Sequence, residues 1–161
     1  MATADEYVLD PDQTRIGFTA AHRVGGRVRG RFARFEGVVH PDHAWLAVEV
    51  DSIDTGNARR DAQLRRDFFD TAAYPAMTFE TTGIRQLSES RYDVTGTLTV
   101  RGTTHPLTVP FTVTATGDTL QFTGRTTLNR HTWHANWNTF TTALVRPTVL
   151  VDLAVTAARR R

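Results

Sequence analysis

Apolar and polar residues alternate with a period of two along most of the chain, most regularly in its second half. The run 107–115 reads Leu-Thr-Val-Pro-Phe-Thr-Val-Thr-Ala, and the segments 92–100 and 149–155 alternate in a similar way. Such patterns, rich in β-branched residues, are typical of strands with one buried face. The short links 101–104 and 117–118 contain glycine and predict hairpins. This half of the chain is therefore predicted to be consecutive antiparallel strands.

One segment, residues 52–80, interrupts this alternation. Asp54 or Asn57 can cap a short helix around residues 57–65, where arginine and aspartate mark an exposed face. Pro75 then favours extended backbone and a new strand. The segment is predicted to leave the sheet, cross one end of it and re-enter.

The number of predicted strands indicates the fold class. About eight consecutive antiparallel strands avoid open edges best by closing into a barrel, whose interior holds side chains or one small ligand. We therefore predict an all-β, eight-stranded antiparallel barrel with one helical crossing, forming a single domain over residues 1–161. An open sandwich is the alternative.

Composition excludes several functional classes. The 161 residues include no cysteine, which removes disulfides, thiolate metal sites and cysteine nucleophiles. No run approaches the ~18 apolar residues of a membrane span, and the first residues lack the pattern of a secretory leader. We therefore expect a cytoplasmic protein without a membrane span.

The basic residues are all arginine, and the formal net charge is +2. Five of them cluster between Arg23 and Arg34, a pattern compatible with phosphate or nucleic acid. Phe32 and Phe35 within the cluster fit a buried face as well as a base-stacking one. A solvated strand face is the preferred interpretation, and no nucleic-acid partner is expected.

Candidate catalytic and metal-binding residues are few. His131 and His134 lie three residues apart, but no carboxylate follows that would complete a metal-binding set. No phosphate-binding loop, dinucleotide fingerprint or nucleophile elbow occurs. Asp10 and Asp51, like the other aspartates near turns, have structural tasks there. No catalytic residue, metal or cofactor is therefore predicted.

Aromatic side chains are numerous for so small a barrel. Phenylalanine occurs nine times and tryptophan three times. Ordinary core packing explains any one of them, but together they can line a dry cavity, the usual form of a site for a lipophilic ligand.

A set of motifs in a fixed order resembles the YceI-like (polyisoprenoid-binding, lipocalin-like) proteins from Tyr7 to about Val155. As a set these motifs are specific, although no single one is. They are Tyr7-Val8-Leu9-Asp10, Ile16-Gly17-Phe18 with His22, Gly30-Arg31-Phe32 with Phe35 and Gly37, Ser52-Ile53-Asp54-Thr55, Leu64 with Asp67-Phe68-Phe69-Asp70, Tyr74-Pro75 with Met77 and Phe79, Gly96 with Leu98-Thr99-Val100 and Gly102, and Arg130.

The resemblance implies a barrel whose internal tunnel holds a long amphiphile, such as a polyisoprenoid or an isoprenoid quinone, to carry, store or sense it. It also suggests a homodimer. It implies a polar end formed by His22, Arg130 and the following loop with Trp133 and Trp137. The implied tunnel-lining residues are Phe18, Phe32, Phe35, Phe69, Met77, Phe79, Leu98, Phe111 and Phe122.

The sequence departs from the family in three places, one of which is the missing leader, since many relatives are exported. Gln63 stands where the family often has histidine, and the loop 131–137 supplies bulk where it usually has glycine. We expect one tunnel end at the helical crossing, and the question of whether the loop 131–137 closes the other stays open. An enzyme using His22, His131 or His134 as acid or base is the alternative function, and a scaffold with a filled core is a third.

Overall fold

The computed structural model describes residues 5–22, 25–133 and 145–160. Most of these residues lie in strands, as the alternation predicts. The strands are β1 Tyr7–Leu9, β2 Arg15–His22, β3 Arg27–Phe32, β4 Phe35–Val39, β5 Ala44–Glu49, β6 Ile53–Asp54, β7 Ala76–Gln86, β8 Arg91–Val100, β9 Thr103–Thr116, β10 Thr119–Asn129 and β11 Val145–Arg159.

These segments build a closed antiparallel barrel of eight strands. β1 with β2, β3 with β4, and β5 with β6 each act as one interrupted barrel strand, because the two halves of each pair with the halves of the next. β1 pairs with both β4 and β11, which closes the ring. The predicted eight-stranded barrel is confirmed, and the sandwich alternative is wrong.

The interruptions in two neighbouring barrel strands meet at Ser52. Its hydroxyl donates to the Glu49 carbonyl at 2.6 Å and accepts from the Arg34 amide at 2.9 Å, while the Ala33 amide donates to its carbonyl at 3.1 Å. A 3-10 turn over Val50–Ser52 forms the break between β5 and β6. Because these backbone groups find partners at the breaks, both strands can bend there with the groups hydrogen-bonded.

The predicted hairpin turns are present. Arg101 and Gly102 form a two-residue turn with φ of +50° and +75°, and Gly117 has φ of +60°. Positive φ at both central residues matches the twist of the flanking strands, which is why a glycine is found in such turns.

The helical crossing begins at the predicted place. A short helix, α1, spans Ala58–Gln63, and the Asn57 side chain accepts from the Arg60 amide at 3.0 Å, as a helix N-cap does. A π-helical turn over Leu64–Phe68 extends the helix before the chain enters β7. The segment lies over the end of the barrel where β6 ends and β7 begins.

The arginines of β3 form a solvated face. Arg27, Arg29 and Arg31 are exposed and alternate with side chains facing inward, and Arg31 lies 3.6 Å from Asp54.

At the other end of the barrel, the hydrogen bond from Arg159 to the Tyr7 hydroxyl, with help from an acidic neighbour, raises the pKa of Arg159 and keeps this guanidinium charged.

The ladder between β9 and β10 covers only part of both strands. It runs from Thr116 opposite Thr119 to Phe111 opposite Gly124 and ends there. β9 continues beside β8 and β10 continues beside β11, but within the described residues these continuations do not pair with each other. We call this unpaired boundary, between residues 103–110 and 125–129, the seam.

Candidate ligand-binding cavity

The barrel encloses a cavity of about 880 Å³. Its wall consists mainly of inward-facing aliphatic and aromatic side chains from the barrel strands, and its volume lies in the range of small-molecule sites. A filled core is therefore ruled out. Besides the residues expected from the sequence, the wall includes Leu9, Ile16, Ala20, Val28, Leu46, Val48, Ile53, Leu64, Ile84, Tyr92, Val94, Val100, Leu107, Val109, Val113, Leu120, Leu128, Val149, Val151, Leu153 and Val155.

Aromatic rings cluster at the helical end of the cavity. Phe32 lies 5.6 Å from Phe18 and 6.2 Å from Phe69, and Phe69 lies 4.8 Å from Phe68, measured between ring centroids. The contacts of Phe69 with Phe32 and Phe68 are edge-to-face, an arrangement that aromatic pairs favour. The helical segment is thereby anchored on the barrel wall through its two phenylalanines.

Three inward-facing glycines each leave room for a phenylalanine ring. A Cβ atom added to any of them would lie far inside van der Waals contact with that ring. The distances from the added Cβ are 2.4 Å for Gly30 to Phe18 Cζ, 2.6 Å for Gly96 to Phe79 Cζ and 2.6 Å for Gly124 to Phe111 Cδ1.

A buried carboxylate holds the helical segment on β6. Asp61 is 6% exposed and accepts hydrogen bonds from the backbone amide of Thr55 at 3.0 Å and from its hydroxyl. Arg60 donates to the same threonine through Nε and Nη2 at 2.8 and 2.9 Å. Because Thr55 directly follows β6, this network fixes the start of the helix against the barrel.

Two further arginines tie the end of the crossing to the barrel. Arg65 donates to the carbonyls of Asp51 and Ile53 at 2.8 and 3.1 Å. Arg101, in the β8–β9 turn, donates to the Phe68 carbonyl at 3.1 Å. These hydrogen bonds therefore attach the helical segment to both sides of the barrel end that it covers.

The polar part of the cavity wall is concentrated beneath this segment. Arg59 and Gln63 line the cavity and are also exposed, so the cavity reaches solvent there. Gln63, the departure from the family pattern, thus contributes an amide to the opening. The polar residues at this end are Asn57, Arg59, Arg60, Gln63 and Asp67.

Arg130 and Trp133 lie at this same end of the barrel. Both are buried wall residues; Arg130 Nε donates to the Arg146 carbonyl at 3.3 Å, and Trp133 Nε1 donates to the Leu98 carbonyl at 2.8 Å. The start of the loop after Arg130 therefore lies at the helical end and not at the opposite end: the Trp133 ring is 5.8 Å from the His105 ring, close to the turn from which Arg101 reaches the helical segment. Of that loop, residues 134–137 lie outside the described residues.

The opposite end of the cavity lies at the turn between β4 and β5. His40, Pro41, Ala44 and Trp45 line it, and Pro41 and Trp45 are exposed. The Ala44 amide donates to the Thr81 hydroxyl at 2.9 Å, which holds this turn against β7. No sequence pattern predicted this end, although a tryptophan directly after the predicted turn 41–44 was a usable signal.

The predicted wall residues occupy the following places. Phe35 does not line the cavity; it packs between two groups of buried residues, one around Ile53 and one around Leu9. The side chain of His22 and all of Trp137 lie outside the described residues. The remaining ten line the cavity: Phe18, Phe32, Phe69, Met77, Phe79, Leu98, Phe111, Phe122, Arg130 and Trp133.

Candidate catalytic chemistry is sparse in the described part of the chain. His131 is exposed and lies off the cavity wall, and its amide donates to the Asn129 side chain at 3.0 Å. Asp10 accepts from the Asp12 amide, and Asp51 accepts from the Thr71 hydroxyl, so these aspartates do have structural partners. Within residues 5–22, 25–133 and 145–160, no three histidines or acidic residues converge as a metal site.

The helices give no membrane span. Neither α1 nor the turn after it, among the residues described, has the length and apolar character needed to cross a bilayer.

The fold and cavity define a class of small β-barrel proteins with an internal apolar cavity. The chain belongs to the YceI-like domain family, which it matches over residues 7–157. Its resemblance to that family is thus confirmed.

Curated relatives and solved structures agree with this assignment. UPF0312 proteins of Vibrio parahaemolyticus and Azotobacter vinelandii are 33% and 30% identical over 118 residues, 67% of this chain. The match spans only 62% of their length. Burkholderia cenocepacia BcnA superposes with a TM-score of 0.85 at 24% identity, covering 93% of this chain and 99% of that one.

A polyisoprenoid binding domain from Saccharophagus degradans, implicated in plant cell wall breakdown, shares the same fold. It superposes with a TM-score of 0.84 at 18% identity, covering 96% of this chain and 98% of that one. At such identities the likeness to both structures concerns the fold alone.

Proposed function

We propose that the protein binds a long-chain amphiphile, such as a polyisoprenoid or an isoprenoid quinone, in its internal cavity and does so without chemical turnover. The cavity of about 880 Å³, with its apolar wall and polar residues gathered at one end, carries this proposal. The Saccharophagus domain of the same fold, described as polyisoprenoid binding, supports it.

Burial of the apolar chain supplies the driving force. Each buried CH2 contributes up to ~0.8 kcal/mol, so affinity rises with chain length while the cavity still has room. We expect this rise to stop once the cavity is full, because further isoprene units stay in water. Titration with geraniol, farnesol, geranylgeraniol and solanesol measures this dependence directly. An affinity independent of chain length would contradict the proposal.

A pair of tryptophan variants tests whether the cavity is the site. Leu107→Trp places an indole inside the cavity, whereas Thr114→Trp places one on the exposed face of the same strand. We expect the first to weaken geranylgeraniol binding at least tenfold and the second to leave it unchanged. Equal binding by both variants, each folded by circular dichroism, would refute the cavity as the site.

Mass spectrometry of organic extracts from the purified protein tests for a bound lipid. We expect a long-chain amphiphile to be recovered unchanged after incubation, since the described cavity wall is mainly aliphatic and aromatic. Conversion of the lipid by the protein would instead support the enzyme alternative. Repeated absence of lipid, with no thermal stabilisation by polyprenols or quinones, would refute binding.

Three further expectations remain predictions. Cell fractionation tests the cytoplasmic location, light scattering tests the homodimer, and a nucleic-acid mobility assay tests the expected lack of nucleic-acid binding. Transfer of labelled lipid between vesicles separates a carrier from a storage or sensing protein. No cofactor beyond the bound lipid is proposed.

A further inference from the structure

A second concave site lies on the outside of the barrel. A groove of about 580 Å³ crosses the outer wall over β8 to β11, with Leu87 and Pro110 among its lining residues. It shares three residues, Tyr92, Phe111 and Leu153, with the wall of the internal cavity. The groove and the cavity therefore lie back to back across one layer of the barrel.

Gly124 lies in that layer. This residue lines the groove, faces inward and has no side chain, so the ring of Phe111 covers it from inside. The ladder between β9 and β10 ends at this same pair of residues. The groove thus lies at the end of the seam that adjoins the paired part of β9 and β10.

The sequence of β9 explains why the seam is unpaired. The Val113 amide donates to the Ser90 carbonyl on the β8 side, and amide direction alternates along a strand, so even-numbered residues of β9 point their amides toward β10. Continuing the register would pair Pro110 with Arg125, Thr108 with Thr127, and residue 106 with residue 129.

Two of those three positions, Pro106 and Pro110, are prolines. Proline has no amide hydrogen, and within sheets it is confined to edges where no donor is needed. Both prolines remove a donor on the side that faces β10. The sequence of β9 therefore disfavours backbone pairing with β10 along the seam.

The groove offers positive charge to a ligand. Within the described residues, the side chains of Arg15 and Arg91 make no hydrogen bond or ion pair, whereas Arg125 lies 2.7 Å from Asp152. With Asp93 also present, the groove holds three arginines and two aspartates. Arginine is well suited to a phosphate or carboxylate group, because its planar donors can bind two oxygens at once.

We propose that the outer groove binds the anionic headgroup of a long-chain amphiphile whose apolar chain passes through the seam into the cavity. This inference rests on the proposed function. It places the headgroup in the groove on the side wall of the barrel. The competing route is entry of the chain at the helical end, beneath Arg59.

Paired ligands test the headgroup site. Geranylgeranyl phosphate and geranylgeraniol share one chain and differ in charge. We expect the Arg15→Ala/Arg91→Ala variant to bind the phosphate roughly tenfold more weakly at low salt, the order expected for two exposed charge contacts, and to bind the alcohol normally. The loss should shrink at high salt, because exposed charges are screened.

A matched variant removes the same charge elsewhere. Arg27→Ala/Arg29→Ala changes two exposed arginines of β3, near the helical end, and we expect unchanged binding of the phosphate. A loss in this variant, with none in the groove variant, would overturn the headgroup site while leaving the cavity intact. Failure of the wild-type protein to bind either ligand would instead refute the proposed function itself.

Disulfide staples test the route of the chain. The protein has no cysteine, so Thr108→Cys/Thr127→Cys introduces one pair across the seam, and Thr114→Cys/Gln121→Cys introduces one pair across the existing ladder, outside the groove. If the seam pair oxidises, we expect slower uptake of geranylgeranyl phosphate, followed by tryptophan fluorescence and restored by reductant, with no change in the ladder pair. Unchanged uptake through a closed seam would overturn the route.

Failure of the seam pair to oxidise would also be informative. Two cysteines whose Cα atoms lie more than about 7 Å apart cannot form a disulfide without backbone movement. Oxidation of the ladder pair alone would therefore support strand separation at the seam. Pro106→Thr/Pro110→Thr then provides the kinetic test: restored donors favour pairing and slow uptake, whereas Pro11→Thr, in an exposed turn, should leave the rate unchanged. An unchanged rate in the seam variant would contradict the proposal.

Discussion

Replacing two of the inward-facing glycines by alanine should change stability by very different amounts. At Gly96, the added Cβ would lie 2.5 Å from the Glu80 carbonyl oxygen and 2.6 Å from Phe79 Cζ. The carbonyl belongs to the β7 backbone, directly before the residue that pairs with Gly96, so it cannot move without disturbing the ladder. At Gly30, the closest neighbours belong to the Phe18 ring, which borders the cavity.

These contacts set the size of the effects. Overpacking a core costs about 1–3 kcal/mol, and we expect Gly96→Ala to reach the upper end because backbone opposes the methyl group. For a chain of this length, ~3 kcal/mol corresponds to a fall in Tm of roughly 6–12 °C. At Gly30 the ring can turn into the cavity, and the loss of unfolded-chain freedom offsets about 0.4–1 kcal/mol of any strain. We expect Gly30→Ala to remain within ~1 kcal/mol of the wild type.

Thermal and urea unfolding followed by circular dichroism measure both variants. Gly30→Ala should also bind geranylgeraniol more weakly, because the displaced Phe18 ring occupies space in the cavity, although the protein stays folded. A Gly96→Ala protein as stable as the wild type would refute the steric reasoning. So would a Gly30→Ala protein that loses as much stability as Gly96→Ala.

Three other substitutions test the supports of the cavity. Asp61→Ala should lower the free energy of unfolding by about 2–3 kcal/mol, because Thr55 loses a buried charged acceptor; normal urea unfolding would contradict this. Trp133→Phe keeps an aromatic ring, though a smaller one, but removes the indole N–H that donates to the Leu98 carbonyl, and it should cost at least about 1 kcal/mol by the same measurement; a larger loss than that of Trp133→Ala would contradict this. Ser52→Ala leaves groups at both strand breaks without a partner and should cost about 1–3 kcal/mol, whereas a neutral effect would indicate a replacement partner.

Local patterns predicted most of the barrel. The period-two alternation of β9 and the glycine turn at Arg101-Gly102 each specify their structure over a few residues. The cap at Asn57 and the restart of the sheet after Pro75 are also local. Closure followed from counting strands, because eight antiparallel strands with short links have few other ways to avoid edges.

Features that depend on contacts between distant residues were not predictable in this way. The strand breaks at Ser52 require a partner near Arg34, eighteen residues earlier, and no spacing rule indicates that contact. Phe35 resembles a wall residue in the sequence, yet it packs between the two groups of core residues. The placement of Trp133 at the same barrel end as the helical segment depends on the order of strands in the sheet, which alternation alone does not give.

The prolines of β9 were a signal that the alternation concealed. Both occupy polar positions in a regular period-two run, so hydrophobicity alone assigns them to an ordinary strand. The direction of the missing amide depends on which neighbour faces it, and this direction became known only with the β8 register. The alternation therefore assigns these two residues to the surface, whereas in the fold they interrupt the pairing of β9 with β10.

These prolines also affect how the protein behaves at high concentration. An unpaired strand edge normally recruits a strand from another molecule, which leads to intermolecular sheets and aggregation. Pro106 and Pro110 remove hydrogen-bond donors that an incoming strand would need. The barrel can therefore leave part of β9 and β10 unpaired without offering that side of β9 as a template for self-association.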